Sequence, residues 1–257
     1  MAFERFLARV CHEEQGQWAL KGGYAMELQM NGARATKDLD LTLSGKRSDM
    51  DISDPGIIRE LLQNAIAENQ LDFFEFLVGE SIDDLDGAPY GGARFPVTAR
   101  LAGRIFAQFH VDIGAGDLIL DPTQHTPGRG WLDFADIPAP VVRLISKEQQ
   151  FAEKIHAYSV PHTQPNSRVK DLVDLFLLVD SGELEAERVK ETVTRTFGRR
   201  ATHAVPERLE EPPGDWKTKF GAYMQECGKK SAMAEAYQQV AAFYFAAMGI
   251  SPASQHA

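Results

Sequence analysis

The chain has 257 residues, 44% of them hydrophobic and 25% charged; this suits one large globular domain or two small ones and excludes a disordered or fibrous protein. Its 37 acidic and 27 basic side chains leave a formal charge of -10, which argues against a simple basic coat for gripping nucleic acid. The sequence shows no apolar run of the roughly 18 residues that a membrane-spanning helix needs, and its start, MAFERFLARVCHEE, lacks the uncharged core of a signal peptide. The expectation is a cytoplasmic protein without membrane contact, with Cys11 and Cys227 as reduced thiols.

In chain order, Phe3, Phe6, Leu7 and Val10 recur at helical spacing and predict an amphipathic helix from Phe3 to about Glu14. A short apolar piece, Trp18 to Leu20, runs into Lys21-Gly22-Gly23; behind the glycines, Tyr24 to Met30 is again helical and stops at Asn31-Gly32. Thr36 to Leu43 alternates polar and apolar side chains, as a half-buried strand does. Asp54-Pro55 opens a helix to about Glu68, with proline near the first turn, where its missing N–H costs little. Strand-like runs follow at Phe73 to Val78, Phe95 to Leu101 and Ile105 to Ile113, separated by turn-rich pieces such as Gly87-Ala88-Pro89-Tyr90-Gly91-Gly92.

Beyond a Pro- and Gly-rich loop from Asp121 to Pro140 the pattern turns helical. Ser146 with Gln149 makes a capping box for a helix to about Tyr158. Further helices are expected at Val169 to Val179, Leu184 to Phe197, Trp216 to Cys227 and Ala232 to Met248. The expected fold class is α+β: a mixed-sheet α/β domain over 1–140, a helical domain over 141–250 and a disordered tail over 251–257.

The acidic excess is local. Residues 51–86 hold ten Asp or Glu against the single basic residue Arg59, whereas residues 1–50 and 151–200 each balance. A solvated helix face and loop is the plain reading of that stretch. An RNA partner would then be expected on the side carrying Arg34, Lys37, Lys154, Arg168 and Lys170.

Asp38 and Asp40, two apart on the expected strand, project from one face about 7 Å apart along it. Like charges held so close favour a bridging cation, and a hard divalent ion such as Mg²⁺ takes oxygen ligands while keeping positions open for phosphates. Upstream, Gly22-Gly23 stands between a strand-like piece and a helix start, where backbone amides and the positive helix end receive a phosphate; the alternative is a tight turn that glycine alone permits. Asp112, near the end of FAQFHVDIG, is a candidate third carboxylate if its strand lies beside that of Asp38, and Asp117 could serve instead. In the helical part, Lys154 is suited to offset a phosphate charge, with Asp171 to orient it or to bind base or ribose. Zinc spacing is absent around His156 and His162, and no Gly-x-x-x-x-Gly-Lys-Ser/Thr loop or kinase motif set occurs.

The run Leu20-Lys21-Gly22-Gly23-Tyr24-Ala25-Met26, followed by Arg34-Ala35-Thr36-Lys37-Asp38-Leu39-Asp40-Leu41, resembles the first motif of the AbiEii/AbiGii toxin family of nucleotidyltransferases, which includes the MenT toxins. Glu153-Lys154-Ile155-His156-Ala157 with Arg168-Val169-Lys170-Asp171-Leu172-Val173-Asp174-Leu175 is similar to its second. The resemblance spans residues 20–175, though its strong motifs cover about thirty of them. It implies a polymerase-β-like nucleotidyltransferase domain followed by helices, with Asp38 and Asp40 as metal ligands and Lys154 and Asp171 as a further active-site pair. Where the wider superfamily often has Gly-Ser, this chain has Gly23-Tyr24, which leaves backbone amides and the tyrosine hydroxyl to meet phosphate.

The expected chemistry is Mg²⁺- or Mn²⁺-dependent transfer of a nucleotidyl group from a nucleoside triphosphate to a hydroxyl of RNA, tRNA being the first candidate. Asp38 and Asp40 would hold metal, Asp112 would bind a second ion or accept the proton, Lys21, Gly22, Gly23 and Tyr24 would line the phosphates, and Lys154 would meet the leaving pyrophosphate. The resemblance further implies a toxin role in phage defence (abortive infection) or growth control, restrained by a separately encoded antitoxin. A protein or small-molecule acceptor, or a binding module with a dead site, are the other readings.

Overall fold

The computed structural model describes residues 1–11, 18–43, 53–67, 72–85, 88–161 and 167–251. The chain divides into two compact units, one of residues 1–31 and 35–145, the other of residues 32–34 and 146–257.

The first unit is built on an eight-stranded mixed sheet. In chain order it comprises α1 (Ala2–Val10), β1 (Trp18–Lys21), α2 (Gly22–Gln29), β2 (Asp38–Leu43), α3 (Pro55–Ile66), β3 (Phe74–Val78), β4 (Asp83–Asp84), β5 (Gly92–Leu101), β6 (Arg104–Ala115), β7 (Gln124–Pro127) and β8 (Val141–Leu144). The strands lie in the order β3-β5-β6-β2-β1-β8-β7, with β4 on β5. β2 runs antiparallel to β1 and parallel to β6. Asp54 caps α3 by accepting the amide of Gly56 at 2.7 Å, which satisfies one of the donors a helix start leaves unpaired.

Alternation along the strands sorts the two faces. Leu39, Leu41, Phe95, Val97, Val111 and Ile113 share one buried face with Phe6, Leu7 and Val10 of α1 and Ile58 and Leu62 of α3. The intervening residues of β2, β5 and β6 point the other way. The β5–β6 hairpin turns through Ala102 and Gly103, both at positive φ (49° and 76°), the conformation a two-residue hairpin turn with the sheet's twist demands.

The strands expected at Phe95 and Ile105 extend to Gly92–Leu101 and Arg104–Ala115. The stretch expected as a loop to Pro140 contains β7, and β8 lies between that loop and the Ser146 cap, where no element was expected. β7 is an edge strand ending in proline and shows almost no apolar alternation, so four residues of pattern hide it. The expected extension of the first helix to Glu14 and the tail beyond Ser251 lie outside the described residues.

The second unit is helical: α4 (Lys147–Ser159), α5 (Val169–Asp180), α6 (Ala186–Arg200), α7 (Lys217–Glu226) and α8 (Met233–Met248). Ser146 caps α4 by accepting the Gln149 amide at 3.2 Å. Between α6 and α7, an extended strap is tied down by three tyrosines, whose hydroxyls donate to backbone carbonyls: Tyr158 to Glu210, Tyr237 to Leu209 and Tyr244 to Pro206, at 2.7–2.8 Å. Among the described residues no helix is long and apolar enough to cross a membrane, and Cys11 and Cys227 are both free.

Two buried ion pairs join α1 to Asp72, two residues before β3. Arg5 Nε donates to Asp72 Oδ2 at 2.6 Å and Arg9 Nη2 to Asp72 Oδ1 at 2.7 Å, and all three side chains are almost wholly buried. Burial alone would raise the Asp72 pKa, but the hydrogen bonds from Arg9 and Arg5 outweigh it and hold the carboxyl below its usual range. Asp72→Ala leaves two buried guanidiniums without their partner and is expected to cost about 3–5 kcal/mol in urea unfolding. Because the folded pKa is lowered, this contribution is complete above the unfolded Asp value of roughly 3.9 and is lost as pH falls through the folded value. The gap between wild type and variant should therefore close on acidification below that point.

Candidate active site

Register brings the charged side chains of the first unit together. Lys21 on β1 lies opposite Asp40 on β2, Asp40 opposite Asp112 on β6, Asp112 opposite Arg94 on β5, and Arg94 opposite Asp83 on β4. One row across the sheet thus reads cation, carboxylate, carboxylate, cation, carboxylate. In the neighbouring row Asp38 faces His110, whose Nδ1 is 3.4 Å from Asp38 Oδ1. Asp38 keeps 38% of its side chain exposed, so the open face of β2 offers carboxylate oxygens to solvent.

Asp112 is engaged by Arg94. Nε donates to one carboxylate oxygen at 2.7 Å and Nη2 to the other at 2.6 Å, a two-pronged pair. That hydrogen bonding raises the Arg94 pKa against the opposing effect of burial, and the charges of Asp112, Asp38 and Asp83 add to it. Arg94 carried no sequence signal, because only the register of two strands shows what lies across from Asp112. Asp117, the alternative third carboxylate, is buried and accepts from Lys21 Nζ at 2.7 Å.

Gly22 opens α2 at φ +67°, and a Cβ there would fall 2.1 Å from Asp40 Oδ2. Glycine is required on both counts: the left-handed backbone and the close approach to the carboxylate. Gly22 and Gly23 thus start a helix directly beside Asp40. Lys21, the N-cap, gives α2 no side-chain cap. Tyr24 departs from the phosphate contact expected of it. Its side chain is buried and packs edge-to-face on Phe3 with centroids 5.1 Å apart, and burial, with the charges of Glu4 and Glu27, raises its pKa. The ring anchors α2 in the core.

Two aspartates on an open strand face fit a hard divalent cation, and Asp38 and Asp40 are the residues that would hold Mg²⁺ or Mn²⁺. The expected set of three carboxylates shares the face but is not gathered around one point. Among the described residues no group of three or more His, Cys, Asp or Glu is placed to hold a metal ion. Both oxygens of Asp112 are taken by Arg94.

In the helical unit, Lys154 is buried on α4 and donates to Asp174 Oδ2 at 2.6 Å; Asp171 Oδ1 lies at 3.5 Å. Asp174, one helical turn beyond Asp171 on α5, also accepts from Arg34 Nε and Nη2, each at 3.1 Å. Burial would lower the Lys154 pKa, but Asp174 and then Asp171 raise it on balance, so the ammonium stays charged. Asp174 belongs to the second motif, yet only the fold shows that it is the nearer partner of Lys154. Arg34 and Lys154, expected on an RNA-facing side, are instead committed to this partly and fully buried cluster. Arg168 remains about half exposed, 3.7 Å from Asp171.

This fold and these motifs are those of a nucleotidyltransferase. Residues 5–242 match the family described as nucleotidyl transferase AbiEii toxin, type IV toxin–antitoxin system, and the chain belongs to that family. Among solved structures it is similar to MenT4, a nucleotidyltransferase toxin from Mycobacterium tuberculosis H37Rv, at 15% identity and a TM-score of 0.52, over 97% of this chain and 90% of that one. JHP933 from Helicobacter pylori aligns at 12% identity and a TM-score of 0.47, over 96% of this chain and 89% of its own. No curated protein matches the sequence. The protein is accordingly a nucleotidyltransferase toxin of the type IV class, a family that implies a nucleoside triphosphate substrate and an antitoxin.

Gly22→Ala tests the close approach. The added methyl must displace the Asp40 carboxylate and sit at positive φ, so a loss of about 1–3 kcal/mol in thermal unfolding is expected, together with loss of nucleotidyl transfer.

Proposed function

We propose that the protein transfers a nucleotidyl group from a nucleoside triphosphate to a hydroxyl of RNA, with Mg²⁺ or Mn²⁺, and that tRNA is the first acceptor to test. The observation that carries this reading is the placement of Asp38 and Asp40 on the open face of β2, with Gly22 at the start of α2 against Asp40. A divalent ion at that pair would neutralise triphosphate charge and favour the attacking hydroxylate. Asp38 and Asp40 would hold and orient the ion, with His110 Nδ1, on β6, 3.4 Å from Asp38 Oδ1. The start of α2, at Gly22 and Gly23, would turn the positive end of the helix dipole toward the triphosphate. The acceptor oxygen bonds to the α-phosphorus, the bond to pyrophosphate breaks, and the acceptor proton leaves to a carboxylate of the row; Asp112 would take that proton or bind a second ion, once free of Arg94. The resemblance of the second motif is what brings Lys154 and Asp171 into the proposal; within the helical unit, Asp174 and Asp171 keep Lys154 charged.

The biological role proposed is that of an abortive-infection toxin acting inside the cell, with a separately encoded antitoxin to restrain it. Incubation with each labelled triphosphate, Mg²⁺ and total RNA should place label in RNA. Asp38→Ala should reduce it by on the order of 100-fold or more. Label in a protein or small-molecule fraction instead would replace the acceptor, and equal labelling by the variant would overturn the metal role.

A further inference from the structure

The pairing across β5 and β6 gives Arg94 a role beyond holding the sheet. We propose that Arg94 is a positioning residue that occupies Asp112 in the cation-free protein and yields it when a divalent ion enters, so that the third carboxylate becomes available only with the ion. The inference rests on the metal reading of Asp38 and Asp40.

Three observations carry it. Arg94 binds both oxygens of Asp112 at 2.6 and 2.7 Å, the geometry that leaves a carboxylate least able to serve a second cation. Asp112 stands in register with Asp40, so a divalent ion held by Asp38 and Asp40 arrives in the row that Arg94 already neutralises. The Arg94 side chain is 32% exposed, against 15% for Asp112. Arg94 is therefore the partner whose long side chain can swing toward solvent, whereas the short Asp112 side chain stays on its strand.

The electrostatics favour an exchange. Without an ion, Asp38, Asp40 and Asp112 crowd one face, and Arg94 relieves part of their repulsion. A dication entering beside Asp40 repels the guanidinium and attracts the same carboxylate, so only one of the two can keep Asp112. Once released, the planar fork of Arg94 suits a phosphate as well as it suited the carboxylate.

The test uses the full chain with ¹⁵N-labelled arginine. The Arg94 Nε–H resonance, assigned by its absence in Arg94→Lys, should be shifted and slow to exchange with solvent in the cation-free protein. Saturating Mg²⁺ should return it to a fast-exchanging position, and should leave it unmoved in Asp38→Asn. In parallel, Mn²⁺ affinity read by electron paramagnetic resonance should tighten about tenfold in Arg94→Gln, which removes the competing charge. If wild type binds Mn²⁺ while the Arg94 resonance ignores Mg²⁺, or if Arg94→Gln melts normally and binds Mn²⁺ no more tightly, the exchange is overturned and the metal site stands. If neither protein binds the ion, the metal reading falls, and the exchange with it.

Discussion

Everything at the open face depends on the register between β2 and its neighbours. Slipping β2 by one residue would turn Asp38 and Asp40 into the core and Leu39 and Leu41 out to water. The apolar face forbids that slip, because Leu39 and Leu41 are completely buried with Val111, Ile113 and the side chains of α1 and α3. Hydrophobic packing on one side of the sheet thus fixes which carboxylates meet on the other. The adjacent carboxylates of the row, Asp40 and Asp112, are flanked by Lys21 on β1, whose Nζ bonds Asp117, and by Arg94 on β5, which binds Asp112 directly and offsets part of their repulsion.

The helical unit handles buried charge differently. Lys154 sits in a desolvated position where burial alone would lower its pKa, and Asp174 and Asp171 raise it on balance. Asp174 in turn holds Arg34 as well as Lys154, so two cations converge on one fully buried carboxylate, with Asp171 more loosely engaged. Such a cluster is costly to leave incomplete. Asp171 is the member whose environment is closer to solvent, at 18% side-chain exposure.

Much of this was readable in the sequence, for physical reasons that also mark where reading stopped. The strand of Asp38 and Asp40 showed itself because alternation is strong when one face is buried, and the Ser146 cap because its hydroxyl and Gln149 are near in sequence. β7 and β8 stayed hidden because four-residue strands among prolines give no period to count. Arg94 and His110 stayed hidden because their importance comes from pairing across strands, which no local pattern encodes. Gly22 was legible as a glycine the backbone needs, but not the 2.1 Å reason, which is the carboxylate of Asp40. Tyr24 was misread toward phosphate because its place beside the glycines outweighed its aromatic ring, which Phe3 claims for the core. The acidic count misled in a milder way: Asp72, in the acidic stretch, is buried against Arg5 and Arg9 rather than solvated.

The most direct measurement of whether the open face of β2 is the metal centre is anomalous diffraction from crystals of the full chain soaked with Mn²⁺ and a non-hydrolysable nucleoside triphosphate analogue. The account predicts a manganese peak against the carboxylates of Asp38 and Asp40, with phosphate at the start of α2 beside Gly22 and Gly23. A peak elsewhere, with Asp38 and Asp40 bare, would contradict it.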